Sequence, residues 1–145
     1  MDARLLVVGE GPEEERLREL AGEGVHFLGN RTDVPRVLQA LDLFVLSSLN
    51  EGISNTILEA MATGLPVVAT RVGGNTELVE GGVSGRLVAH GDTEAFVAAI
   101  GEYQADPVRS QAHGEAGRRA TLDRFSIEAM VRSYEEVWTR VVGGS

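Results

Sequence analysis

The chain has 145 residues, a formal net charge of −9 and 43% hydrophobic side chains, which is one domain's length with enough apolar content for one core. Cysteine is absent, which excludes a disulfide framework and thiolate metal ligation, and the acidity argues against a nucleic-acid groove. No apolar run approaches the roughly 20 residues of a membrane span and nothing resembles a signal peptide, so a reducing, cytoplasmic setting is expected.

Arg4-Leu5-Leu6-Val7-Val8 is a β-branched apolar strand running into Gly9-Glu10-Gly11-Pro12. Pro12 in a first turn, followed by Glu13, Glu14 and Glu15, predicts a helix start, because acids favour the positive dipole end. That helix should reach Ala21 and break at Gly22 and Gly24. Val25 to Leu28 is the second strand, and Asp33 is placed to cap a helix carrying Val34, Val37, Leu38 and Leu41. Leu43 to Ser47 is the third, buried strand. A loop with Glu51 and Gly52 leads to a helix whose inner face holds Ile57, Leu58, Ala60 and Met61, stopped by Gly64 and Pro66.

Pro66 to Thr70 is the fourth strand, with proline at the first residue, where a missing donor does least harm. A glycine turn, Arg71-Val72-Gly73-Gly74-Asn75, opens a short helix from Thr76 to Val79. Arg86 to Val88 is an edge strand; helices follow over Thr93–Tyr103, Pro107–Leu122 and Ile127–Val142. Strands alternating with helices through short loops predict an α/β fold with a parallel, Rossmann-like sheet of about five strands. Residues 1–142 form one domain in this reading, and 143–145 a disordered tail.

Gly9-Glu10-Gly11 joins a strand end to a helix N-terminus, a geometry suited to an anion, although the third glycine of a dinucleotide fingerprint is missing. All thirteen cationic residues are arginine, so no Walker-type phosphate loop is present. Glu51 and Glu59 sit eight positions apart across a strand-to-helix turn at the edge where α/β sheets bind ligands. Two readings stay open on spacing alone. Thr56-x-x-Glu59 matches a capping box, which would make Glu59 structural, and Glu51 would then be a solvated loop acid. In the functional reading both acids accept bonds from vicinal hydroxyls while the amides of Gly52, Ile53 and Ser54 face a phosphate, the combination a sugar-nucleotide requires. Acids lying along one turn fit a paired-carboxylate hydrolase less well. Arg31, past a strand end, Arg71 after the fourth strand and the amides of Gly73-Gly74-Asn75 lie in the same rim of loops. His26, His90 and His113 have no metal-ligand spacing, and Trp138 with Val131, Tyr134 and Val137 reads as packing.

Val8-Gly9-Glu10-Gly11-Pro12, Phe27-Leu28-Gly29-Asn30-Arg31, Glu51 through Glu59-Ala60-Met61-Ala62, Gly64-Leu65-Pro66-Val67-Val68-Ala69-Thr70, Val72-Gly73-Gly74 and Gly85-Arg86-Leu87-Val88 occur in this order. Over nearly its whole length the chain resembles the C-terminal, donor-binding half of retaining GT-B glycosyltransferases of the family 4 group. The wording of the Glu51–Glu59 stretch is most similar to members tied to exopolysaccharide or exosortase loci. The resemblance implies a nucleotide-diphosphate-sugar donor and hexosyl transfer with retention to a glycan or lipid-linked acceptor. No cofactor and no obligatory metal are implied. By this resemblance Glu51 positions the donor hexose, and the amides of Gly52, Ile53 and Ser54 lie near sugar and diphosphate. Thr56 and Ile57 approach phosphate and ribose, Glu59 takes the ribose hydroxyls, the Gly9–Gly11 turn lines the site, and Asn30 and Arg31 flank the base.

The departures carry further expectations. Family members have, upstream of the segment matching Leu5 to Pro12, a first strand and helix with a Gly-Arg and a Lys that clamp the diphosphate, and an N-terminal acceptor domain. None of these has a counterpart here. The missing strand is the central one, between those at Leu5–Val8 and Leu43–Ser47, so exposed edges and self-association are expected, with no turnover by the chain alone. A whole enzyme of this kind would be cytoplasmic or peripheral at the inner membrane. The alternatives are a GT-B-fold sugar-nucleotide epimerase, for which no acid/base pair stands out, and a non-catalytic α/β binding module.

Overall fold

The computed structural model describes residues 3–143. The chain divides into two compact units, residues 1–37 and 38–145. In the first, β1 (Leu5–Val7) and β2 (Val25–Phe27) pair in parallel with Leu6 opposite His26 and Val7 opposite Phe27, and α1 (Glu14–Leu20) connects them. The pairing continues past the strands, because Gly9 N–H donates to the Gly29 carbonyl at 2.9 Å. Gly9 sits at φ +111° and Gly29 at φ +61°, conformations a side chain would resist. The helix starts two residues later than its proline indicated. Pro12 and Glu13 form a turn in which Glu14 N–H donates to the Gly11 carbonyl, so the acidic first turn consists of Glu14 and Glu15. Arg18 of α1 lies over the half-buried Phe27 ring at 4.4 Å.

Helix α2 (Val34–Leu38) is shorter than expected. Asp33 contributes its carbonyl to Arg36 and Val37, but its carboxylate is held by Arg31 rather than serving as a cap.

The second unit carries the remaining core. Strands β3 (Phe44–Leu46), β4 (Val67–Thr70) and β5 (Gly85–Val88) form a parallel sheet in that order, with Val45 opposite Val68 and Val68 opposite Arg86. All four residues of the central strand β4 are buried, which explains its unbroken Val-Val-Ala run. Helix α3 (Asn55–Thr63) buries Ile57, Ala60 and Met61; α4 (Asn75–Leu78) adds Leu78, and Val79 follows it into the core. The expected parallel strands therefore form two sheets, β1–β2 and β3–β4–β5. Among the described residues β1, β2, β3 and β5 each have one strand partner, and only β4 has two.

Three helices close this unit: α5 (Thr93–Ala105), α6 (Pro107–Arg124) and α7 (Ile127–Gly143). Asp92 caps α5 by accepting from Ala95 N–H at 2.9 Å. Asp106 caps α6 through Arg109 N–H at 3.0 Å, with Pro107 in the first turn. Glycines in α6 allow it to lie against α3. A Cβ on Gly114 would stand 2.0 Å from the Gly64 carbonyl oxygen, and one on Gly117 would meet Met61 at 3.4 Å. Gly143, expected in the tail, ends α7; residues 144 and 145 lie outside the described residues.

Candidate functional site

The loop from Ser47 to Ser54 leaves the carboxyl end of β3 and enters α3, and Ser54 rather than Thr56 is the N-cap. Its extended backbone (φ −78°, ψ 107°) turns its hydroxyl onto Ile57 N–H at 3.4 Å, and its carbonyl accepts from Leu58 at 3.2 Å. Both Thr56 and Ser54 offered a hydroxyl in the right neighbourhood. Thr56 is already helical, so its hydroxyl bonds Ser54 Oγ at 3.1 Å instead. The capping-box reading of Glu59 is thereby corrected: counted from Ser54, Glu59 is at the fifth helical position and beyond reach of the cap's own N–H.

This start leaves the amides of Gly52, Ile53, Ser54, Asn55 and Thr56 without partners among the described residues. They are the orphan donors at the positive end of a nine-residue helix and the loop leading into it. The exposed stripe of α3 comprises Asn55, Thr56, Glu59 and Ala62. Because helical side chains lean toward the N-terminus, Glu59 extends over the turn of Asn55 and Thr56. The Glu59 carboxylate has no partner among the described residues, while its carbonyl accepts from the Thr63 hydroxyl. Ile57 is wholly buried, so it offers the site only backbone, and its N–H faces Ser54 Oγ. Ile53 is half exposed, its side chain near Gly74.

Glu51 is half-buried, and one of its oxygens accepts from Ser48 Oγ at 2.6 Å. The loop's backbone rests on the Gly73–Gly74 turn. Gly74 N–H donates to the Gly52 carbonyl at 3.0 Å, and a Cβ on Gly73 would fall 1.7 Å from the Glu51 carbonyl oxygen. Gly73 also needs φ +45°. This narrows the expectation that Gly73-Gly74-Asn75 offers amides to a ligand to the Gly73 N–H, which has no partner among the described residues. Gly74 N–H goes to the loop and Asn75 N–H to the Val72 carbonyl. Arg71 reaches the Leu87 carbonyl at 3.2 Å.

Sequence reading gave Ser48 and Thr70 no place in the site, and gave Asn75 one through its amide and not through its side chain. Thr70 Oγ1 donates to the Ser48 carbonyl at 2.7 Å and Asn75 Nδ2 to the Thr70 carbonyl at 3.0 Å. The first bond ties the loop after β3 to the end of β4 across 22 residues, and the second ties α4 to β4 through a side chain; local pattern reveals neither.

The other predicted residues belong to the first unit. Gly9, Glu10, Gly11 and Pro12 line a cavity of about 170 Å³ with Phe27 and Leu17. Asn30, Arg31, Thr32 and Asp33 line an open groove of about 400 Å³. In it Arg31 donates through Nε and Nη2 to the two carboxylate oxygens of Asp33, each at 2.7 Å. That pairing draws the Asp33 carboxyl below the usual carboxylate range and raises Arg31. His26 is exposed on β2, His90 lies outside the helices and strands, and His113 bonds Tyr103, so none joins the site. Among the described residues no group of three or more acidic or histidine side chains is placed to hold a metal ion.

Comparison with known proteins gives this geometry a context. The profile of the family described as "Glycosyl transferases group 1" matches residues 1–106. N-acetyl-alpha-D-glucosaminyl L-malate synthase of Bacillus anthracis is 34% identical over 98% of the chain and 39% of its own length. The lipopolysaccharide core biosynthesis mannosyltransferase LpsB of Rhizobium meliloti is 42% identical over 77% of the chain and 32% of its own length. Among solved structures, Anabaena Alr3699/HepE in complex with UDP superposes with a TM-score of 0.85 at 28% identity, covering 94% of this chain and 41% of that one. The same Anabaena protein has been solved with UDP-glucose, at a TM-score of 0.82 and with 94% and 40% covered. The chain thus spans about two fifths or less of the length of these relatives. A profile matched over most of the length and relatives above 30% identity lead to one assignment: this chain belongs to the group 1 glycosyl transferases.

Proposed function

We propose that the loop Glu51–Ser54 and the first turns of α3 bind the nucleotide-diphosphate sugar of a retaining hexosyl transfer. The observation that carries this reading is the run of unpartnered amides from Gly52 to Thr56, flanked by one half-buried acid and one free, exposed acid. Amides at a positive helix end match a diphosphate, and carboxylates match vicinal hydroxyls. Glu51 positions the hexose and is not an attacking group; Glu59 takes the ribose hydroxyls. Thr56 and the Ile57 backbone border phosphate and ribose; for Gly9, Gly11, Asn30 and Arg31 of the first unit, a donor-binding role rests on the family resemblance alone. The complexes of the Anabaena relative with UDP and UDP-glucose support this choice of donor class. The acceptor is a glycan or lipid-linked saccharide, as the mannosyltransferase relative supports. An epimerase would need acid/base groups at the sugar carbons, and among the described residues no second carboxylate or histidine bonds to Glu51, whose recorded partner is Ser48.

Saturation-transfer NMR on the chain tests the assignment. Glu59→Gln should lose saturation of the ribose protons and Glu51→Gln that of the hexose protons; unchanged ligand spectra in both variants would overturn it. The chain alone should not turn over a radiolabelled donor in the presence of saccharide acceptors, and turnover would refute that part. Donor binding is proposed to need no metal, so a chelator should leave the titration unchanged. Among the described residues no helix is long and apolar enough to cross a membrane. A cytoplasmic or membrane-peripheral site of action remains part of the proposal.

A further inference from the structure

Resting on the donor-site reading, the geometry points to Ser48, Thr70 and Asn75 as positioning residues that set Glu51 for the hexose. The connection is a series of hydrogen bonds running from the core to the carboxylate. Asn75 is wholly buried, and its Nδ2 holds the carbonyl of Thr70 at 3.0 Å. Thr70, itself 4% exposed at the end of β4, directs its hydroxyl onto the Ser48 carbonyl at 2.7 Å. That bond fixes the peptide from which Ser48 Oγ reaches Glu51 Oε1 at 2.6 Å. A parallel tether holds the backbone, because Gly74, the residue before Asn75, donates to the Gly52 carbonyl. Glu51 is therefore held by its side chain and by the peptide that follows it.

Two features favour positioning over simple packing. Asn75 Oδ1 is buried with no partner among the described residues, so an apolar side chain of similar size would leave fewer unsatisfied atoms at this place. What only the amide supplies is the donor that orders the end of β4. The second is the use of one Glu51 oxygen. With Oε1 occupied by Ser48, the carboxylate has a defined orientation and a second oxygen free for a hydroxyl, which a freely rotating acid would not offer.

The test compares nucleoside diphosphate with the corresponding nucleoside diphosphate-hexose in wild type, Ser48→Ala, Thr70→Val and Thr70→Ser. Only the hexose touches Glu51 in this reading. In Ser48→Ala and Thr70→Val the preference for the hexose ligand should drop about tenfold, the scale of one charge-assisted hydrogen bond, while diphosphate affinity stays within about twofold. Thr70→Ser, which keeps the hydroxyl, should restore the preference. A variant that is merely less stable would lose both ligands together. Three-bond couplings of Glu51 give a reading without ligand: one χ1 rotamer in wild type and Thr70→Ser, averaging in Ser48→Ala and Thr70→Val. If the wild type prefers the hexose ligand and all variants keep that preference with one Glu51 rotamer, the positioning role is overturned. If the wild type shows one rotamer that the variants lose, yet no preference for the hexose, the network stands as a restraint and the donor-site reading falls.

Discussion

The two acids of the site differ in what the fold already asks of them. Glu51 is engaged by Ser48 and rests on the Gly73–Gly74 turn, whereas the Glu59 carboxylate is exposed and bonded to nothing among the described residues. Removing charge at Glu59 should therefore leave stability within about 0.5 kcal/mol, the usual range for an exposed position without partners. The same Glu59→Gln change should weaken nucleotide binding about tenfold, measured by calorimetry, if that acid holds a ribose. Gly73 is the opposite case. Gly73→Ala would place a carbon 1.7 Å from the Glu51 carbonyl oxygen at φ +45°. The loop must move or the chain must unfold, at a cost of about 2 kcal/mol or more in chemical denaturation. The placement of Glu51 and Gly52 in the loop and of Glu59 on the helix was legible in the sequence, because a strand, a glycine turn and a helix signal surround them. Ser48 and Asn75 were not, since their importance lies in bonds to residues distant in sequence or to a backbone carbonyl.

Among the elements, α3 and α6 form the tightest helix contact, where Gly114 allows the backbone of α6 to approach the Gly64 carbonyl. Gly114→Ala would raise helix propensity by about 1 kcal/mol yet collide with backbone at 2.0 Å, so a net loss of stability on thermal unfolding is expected. Near the other end of α5, Tyr103 Oη and His113 Nδ1 are 2.8 Å apart with their rings edge to face, beside Arg86, Glu102, Asp106 and Arg109. Burial pushes the Tyr103 hydroxyl up to about 12, and burial with the charges of Arg109 and Arg86 holds His113 below its ordinary 6.5. The unfolded chain then binds the His113 proton more readily than the folded one. Its contribution to stability is complete above pH 6.5 and is lost as pH falls through the lower folded value. Denaturation of wild type and His113→Gln across that window should differ in slope, the wild type losing stability toward acid faster. Helix ends were less legible than helices. Pro12 marked α1 two residues early, and two neighbouring hydroxyls competed for the cap of α3, a choice settled by backbone conformation rather than residue type.

For the molecule as a whole, the order of parallel strands and helices could be read from local periodicity, but the division into two sheets could not. Period-2 and period-3.6 patterns identify strands and helices, whereas strand neighbours are set by distant pairing. The edge strands, which among the described residues are β1, β2, β3 and β5, and the apolar face of α7 are properties of this scale. Along α7, Ile127, Met130, Tyr134, Val137, Trp138 and Val141 lie at three- and four-residue spacing and are all at least half exposed, Trp138 by 72%. Surface of this kind should make the chain associate with a second copy as concentration rises in sedimentation velocity, and Val137→Glu with Val141→Glu should suppress it without loss of helical signal. The central claim lies in the second unit, where α3 begins. It is tested most directly by titrating uridine-, guanosine- and adenosine-diphosphate sugars into isotope-labelled chain and following the backbone amides. Selective, saturable shifts at Gly52, Ile53, Ser54, Asn55 and Thr56 with at least one nucleotide sugar are predicted, and amides at those positions that stay unmoved with all three would contradict the account.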